Sequence, residues 1–442
     1  MGIDRRQFMK LAAGFGAGFG AGAMVTPLPW QMLDDIAIWS QNWSWIPSLK
    51  GGATTFAPAV SKTCPSSAAV RIRLVGGRPV RVLPNTEHPL GGGVTALAAA
   101  ELQLLNSPAR VAHPLKRNAD GSFSRLDWSE AAQLLCEKLA EAGEEAAFIS
   151  GDENGSVNEV ISSFAAALGS KQVFLMPSEG QCAARACDLL GLNAQLGYDL
   201  ERSDYVLSIG ANLLETWGTV VRNRRLFGAS HPHPQEGVSS RASLVYAGPL
   251  QNNTAAVADS WLPIPPGFEI VLALGLAHLL ISRGRTIPAA DFGPFAQMTA
   301  DYDLDSVAQA TGLAVETLTN LADKLLAAKA PVVILGGEFN QGAGAAAVMA
   351  GFAVNALLGK INAPGGLRLL PKYGPVLAGA RSRSALYGQS DLAAWMGGEK
   401  KGPRPAALVI HEANPAFALP DPAAAAAFLK ETPVKAAFSC FL

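Results

Sequence analysis

Five short apolar runs, each closed by a turn of small or polar residues, constrain this chain more than any other feature. They cover residues 146–150, 172–176, 205–209, 331–335 and 407–410. The third ends in Gly210-Ala211-Asn212, the fourth in Gly336-Gly337, and the fifth in His411-Glu412-Ala413-Asn414-Pro415. Runs this short and this largely apolar read as strands buried on both faces. Such strands belong to parallel sheets covered by helices on each side. Helical patterns over residues 129–141, begun near Asp127, and 156–168 alternate with them. The pattern predicts an α/β fold of Rossmann-like parallel-sheet domains. Ligands in such sheets sit at the carboxyl ends of the strands. The three turns are therefore candidate nucleotide contacts, although each alone also reads as a plain tight turn.

Upstream the pattern changes. Residues 70–75 alternate apolar and basic, Gly76-Gly77 marks a hairpin turn, and residues 79–83 form the return strand. Before this β-rich unit, Trp30, Trp39, Trp43 and Trp45 crowd a proline-containing stretch. That reads as an irregular strap laid on another surface. At the N-terminus, Arg5 and Arg6 precede Phe8 and an apolar Gly/Ala-rich run reaching about Trp30. Paired arginines before such a run resemble a twin-arginine export signal, with Ala21-Gly22-Ala23 suited to cleavage. A retained anchor and an ordinary apolar helix are the alternatives. The glycines at 14, 16, 18, 20 and 22 mimic a dinucleotide-binding loop, but no strand precedes them. Composition excludes other classes. With 49% hydrophobic and 16% charged residues the chain is not disordered, and a net charge of −1 offers no basic face for nucleic acid. Five cysteines in 442 residues are no disulfide scaffold. The low charge suggests burial inside a complex.

A series of motifs then runs in order along the chain. They are Arg78–Asn85 before His88-Pro89, Ser107-Pro108-Ala109-Arg110, Pro114–Arg117, Asp127-Trp128-Ser129-Glu130-Ala131, Gly210-Ala211-Asn212, Ala258-Asp259 before Pro263, Asn355–Gly366, and Asn414-Pro415. Their order and spacing resemble the large subunits of molybdopterin oxidoreductases, the complex iron–sulfur molybdoenzymes, from about residue 60 onward. Within that family, Thr26–Trp30, Ile38-Trp39, Asn42-Trp43, Asn212–Trp217 and Arg222-Asn223 resemble a non-standard branch. That branch holds the molybdopterin-like subunits of menaquinone reductase and alternative complex III.

The resemblance implies specific sites. Family members hold a [4Fe–4S] cluster on four cysteines. Those positions fall here on Ser61, Cys64, Ala68 and Thr95. One thiol cannot hold a cubane, so no [4Fe–4S] cluster is expected in this chain. By register Cys182 occupies the molybdenum or tungsten ligand position. A soft thiolate suits such a metal, and the alternative is a packed core residue. On a helix Cys187 would point about 140° away from it. Family members grip a molybdopterin guanine dinucleotide through regions that correspond to Gly210, Asn212, Glu215 and Thr216, to Glu269, and to Asn414. Phe268 stands where the family has a hydroxyl residue, which implies a vestigial or absent cofactor. His231-Pro232-His233-Pro234 reads as an extended loop without metal, and Asp152 and Glu153 as solvated loop acids.

The expected architecture has a signal or anchor over 1–30, a strap and cluster-less β-rich domain over 31–115, one α/β domain from 116–178 with 331–442, and a second over 179–330. The apolar strand expected at Phe438–Leu442 suggests a fold that continues beyond it. The functional expectation is an exported, periplasm-facing subunit of a membrane quinone reductase that passes electrons from cytochrome c to menaquinone. Its expected partners are a multihaem cytochrome c, an iron–sulfur subunit and an integral membrane quinone-binding subunit. Its own role is expected to be scaffolding. The alternative is a catalytic Mo/W subunit of polysulfide, thiosulfate or formate type that uses Cys182.

Overall fold

The structure is a computed structural model. It describes residues 4–25, 52–64, 66–88, 92–152, 156–176, 178–231, 242–288, 292–336, 344–372, 374, 376–377, 389–398 and 404–441. The tryptophan strap, Pro89, Glu153, residues 232–234 and Gly337 lie outside these. The chain divides into two units. One is Met1–Ala57 with Arg71–Arg81; the other is Pro58–Val70 with Val82–Leu442.

In the first unit a helix spans Arg5–Val25, with Arg5 and Arg6 exposed in its first turn. Among the described residues no helix is long and apolar enough to cross a membrane. Three strands, β1 (Thr54–Val60), β2 (Ala69–Val75) and β3 (Arg78–Pro84), form a sheet in that order. Gly76 and Gly77 make the β2–β3 turn with φ of 56° and 77°, a conformation that glycine adopts without a Cβ clash. A small antiparallel pair follows, β4 (Leu115–Arg117) and β5 (Phe123–Arg125).

Two four-stranded parallel sheets dominate the second unit. The first contains β6 (Ala146–Ser150), β7 (Gln172–Leu175), β14 (Ala407–His411) and β15 (Val434–Phe438), in the order β15-β14-β6-β7. Alternate residues of its strands feed two cores. Ala147, Ile149, Leu408 and Ile410 pack with Trp395 and Phe428 on one face. Phe148, Val173 and Val409 pack with Leu139 and Ala165 on the other. The second sheet contains β9 (Tyr205–Ile209), β10 (Ser243–Gly248), β11 (Ser260–Pro263) and β12 (Pro331–Leu335), in the order β11-β10-β9-β12. Its larger core sets Leu207, Ile209, Val333 and Leu335 against Leu272, Leu276 and Leu280 of the helix Glu269–Ser282. Each such buried leucine or isoleucine contributes about 2 kcal/mol from area burial. A last antiparallel pair joins β8 (Ala194–Tyr198) to β13 (Leu367–Pro371).

The topology corrects one expected boundary. Residues 331–335 are expected in the domain of 116–178, but β12 pairs with β9 in the second sheet. The chain returns to the first sheet only at β14, which pairs with β6. An apolar run reports burial on both faces, not which neighbour it will join. The terminal strand also lies earlier than expected, at Val434–Phe438.

Candidate functional site

Strand order locates two crevices. In the second sheet β10 and β11 extend to one side of β9 and β12 lies on the other, so the topological switch falls between β9 and β12. In the first sheet it falls between β6 and β14. The expected site residues distribute between these two carboxyl edges.

Gly210, Asn212, Glu215 and Thr216 share the loop after β9. Gly210 has a φ of 64° and donates its N–H to Ala247 O at 2.8 Å, which turns the chain out of the sheet. The Asn212 carbonyl then accepts from the N–H groups of Glu215, Thr216 and Trp217 at 3.0–3.1 Å. The loop's polar side chains are mostly satisfied from within. Asn212 Oδ1 accepts from Thr254 Oγ1 at 2.9 Å, and Glu215 Oε2 accepts from Asn212 Nδ2 at 3.3 Å and Asn253 N at 3.2 Å. Thr216 Oγ1 is buried without a partner.

Glu269 opens the helix after β11, on the same carboxyl edge. It is completely buried. One carboxylate oxygen accepts from Gly267 N at 2.8 Å, and the other has no partner. Burial pushes its carboxyl above the usual range, although N–H groups of Glu269 and Gly267 oppose the shift. One of its oxygens therefore serves the start of its own helix, and the other is left as a buried acceptor.

Cys182 and Asn414 lie at the edge of the first sheet. Cys182 sits in the helix Glu179–Leu189 after β7, whose first turn is capped by Ser178 Oγ accepting from Gln181 N at 3.2 Å. It is half-buried, whereas Cys187 in the same helix is fully buried, its thiol pushed up by desolvation. Among the described residues no group of three or more His, Cys, Asp or Glu side chains could hold a metal ion. One protein thiolate beside pterin sulfurs is nonetheless a donor set that suits molybdenum or tungsten, so Cys182 fits that role on chemistry. Asn414 is exposed and precedes the short helix Pro415–Ala418, with no side-chain cap bond.

The four cluster positions tell a plainer story. Ser61, Cys64 and Ala68 are buried on one loop between β1 and β2. Ser61 Oγ accepts from Cys64 N at 3.2 Å, and Cys64 Sγ lies 3.0 Å from Ser66 Oγ. Thr95 caps the helix Ala96–Leu105, accepting from Ala98 N at 3.2 Å. These residues do not fit a cubane: they supply one thiol, two hydroxyls and a methyl.

Two residues behave differently from the expectation. Asp152 is not solvated; its side chain is 10% exposed and pairs with Lys62 Nζ at 2.8 Å. That bond, with the charges of Asp152 and Glu412, raises the Lys62 pKa against the opposing effect of burial. No local sequence signal marks Lys62, which lies between two of the expected cluster positions. His231 closes the helix Val220–Ser230 rather than opening an extended loop. It stacks on Phe227 at 4.0 Å and lies 3.7 Å from the Asp259 carboxylate.

Two doubly wound parallel sheets with loop-lined carboxyl edges define an α/β protein. The chain belongs to the molybdopterin oxidoreductase family, whose sequence profile matches residues 110–391. It is 51% identical over 449 aligned residues to the menaquinone reductase molybdopterin-binding-like subunit of Nitratidesulfovibrio vulgaris, covering 100% of this chain and 64% of that protein. It is 25% identical over 240 residues to the thiosulfate reductase molybdopterin-containing subunit of Salmonella typhimurium, covering 52% and 30%. The chain thus spans less than two thirds of the length of either relative. Among solved structures, acetylene hydratase from Pelobacter acetylenicus shares the fold, with a TM-score of 0.57 and 19% identity over 68% of this chain and 43% of that one.

Proposed function

We propose that this chain is the molybdopterin-oxidoreductase-like subunit of a periplasm-facing membrane quinone reductase that carries electrons from cytochrome c to menaquinone, and that its own part is structural. The observation that carries the reading is the donor set at the cluster positions. Ser61, Cys64, Ala68 and Thr95 offer a single thiol where a cubane needs four ligands. Without that relay a metal centre in this chain has no proximal electron exit. Phe268 supports the same reading, because it supplies no hydroxyl at the position where the family has one. Any molybdopterin guanine dinucleotide is then vestigial or absent. The Arg5-Arg6 pair supports export by the twin-arginine route. The partners in this reading are a multihaem cytochrome c, an iron–sulfur subunit and an integral membrane quinone-binding subunit, which this chain holds within electron-tunnelling reach.

A second reading rests on Cys182. It is half-buried near the start of a helix capped by Ser178. There it would ligate molybdenum or tungsten in a catalytic subunit. Metal and pterin analysis of the isolated chain, purified anaerobically, separates the two. The structural reading expects iron, molybdenum, tungsten and pterin all far below one per chain. Stoichiometric molybdenum or tungsten with pterin overturns it in favour of Cys182.

A further inference from the structure

We propose that the Glu101 carboxylate takes the place of an iron–sulfur cluster as the anchor of the 61–68 loop. The inference rests on the reading that this chain carries no cluster, and it names what replaced one.

Cluster-binding loops direct backbone N–H groups at the cluster sulfurs. Without a cluster such donors are open to another acceptor, and a charged one gives the stronger bond. Here they have acceptors. Lys62 N and Thr63 N donate to the same Glu101 oxygen, at 2.6 and 2.7 Å. Cys64 N, the next amide, donates to Ser61 Oγ at 3.2 Å. Two consecutive N–H groups converging on one oxygen form an anion nest. The anion is supplied by the chain itself.

Glu101 belongs to the helix Ala96–Leu105, which Thr95 caps. Its carboxylate therefore joins the element carrying the fourth cluster position to the loop carrying the other three. Thr63 Oγ1 adds a second link, donating to Leu97 O at 3.1 Å. In the other direction, the Lys62 side chain reaches Asp152 at the end of β6. Helix, loop and sheet edge are thus tied in series by two carboxylates and a lysine. Unlike a cluster, this tie has no redox states.

Hydrogen–deuterium exchange of the full chain tests the assignment. Glu101→Ala is expected to raise exchange of residues 61–64 about tenfold, the loss of one charge-assisted anchor. Glu101→Gln, which keeps an acceptor oxygen, is expected to raise it by less. Gln103→Ala, an exposed change on the same helix, is expected to leave it unaltered. The proposal is overturned if both Glu101 variants stay within about twofold of the parent chain at these residues. Should the alanine variant not fold, the glutamine variant decides alone. Iron analysis of the same samples keeps the two ideas apart. Four irons per chain would overturn the cluster-free reading, whereas unchanged exchange in iron-free protein would overturn Glu101 alone.

Discussion

Asn355 pairs with Val333 as though it were a neighbouring strand. Its Oδ1 accepts from Val333 N at 3.0 Å, and its Nδ2 donates to Val333 O at 2.6 Å and to Gly351 O at 2.8 Å. Strand β12 is the outer strand of its sheet, so Val333 would otherwise leave an unpaired N–H and C=O at that edge. The side chain sits fully buried on the helix Gly344–Leu357. Asn355→Leu keeps the volume but leaves the Val333 donor and acceptor unsatisfied. It is expected to destabilise the chain by about 3 kcal/mol, measured by urea denaturation. A cost under about 0.5 kcal/mol would remove this edge-capping role.

Burial sorts the thiols. Cys136 and Cys440 are exposed, Cys182 is intermediate, and Cys64 and Cys187 are buried, with none in a disulfide. Alkylation of the native chain should label Cys136 and Cys440 first and Cys182 more slowly. Cys64 and Cys187 should react only after unfolding. Mass mapping of the labelled peptides checks the order, and early labelling at Cys187 would contradict its packing.

Glu269 makes stability depend on pH. Its folded-state pKa lies above the ordinary 4.5, with burial the main cause. A raised carboxyl binds protons more tightly when folded, so its contribution is fully present below the ordinary value. It is lost as pH rises through the raised one. Urea midpoints taken upward from about pH 4 should therefore contain a falling component. Glu269→Gln should flatten that component, and an identical slope in parent and variant would refute the assignment.

Gly151 marks the closest approach at the first crevice. A Cβ added there would lie 2.1 Å from the Glu412 carbonyl oxygen. Neither atom can give way cheaply, because Gly151 N also donates to His411 O at 2.8 Å across the β6–β14 junction. Gly151→Ala is expected to cost about 3 kcal/mol or more, or to prevent folding. A thermal melt matching that of the parent chain would show that the junction is looser than described.

The two-sheet architecture was legible because the five runs are mostly apolar and mostly buried, which a short apolar run reports directly. The partner of each strand was not legible. Pro331–Leu335 and Ala407–His411 have the same apolar character, yet one joins β9 and the other β6. The turn after β9 was readable at Gly210 and Asn212, since a glycine–asparagine turn after a buried strand is a local signal. The side chains that hold this loop in place were not. Thr254 reaches Asn212 across 42 positions, and Glu101 reaches Lys62 across 39. No local pattern announces a bond of that span. Asp152 was misread for the same reason, because a loop acid looks solvated until its lysine is found.

The order β15-β14-β6-β7 also fixes an order of events in synthesis. The second sheet has all its strands once Leu335 has been made. The first, begun at Ala146, cannot complete its centre until His411 emerges and pairs beside β6. Until then β6 and β7 stand as a two-stranded ribbon with an apolar open edge, the kind of surface that recruits wrong partners. The long-range closure is slow because loop entropy must be overcome before pairing stabilises it. This late docking of β14 beside β6 sets when the first sheet can close.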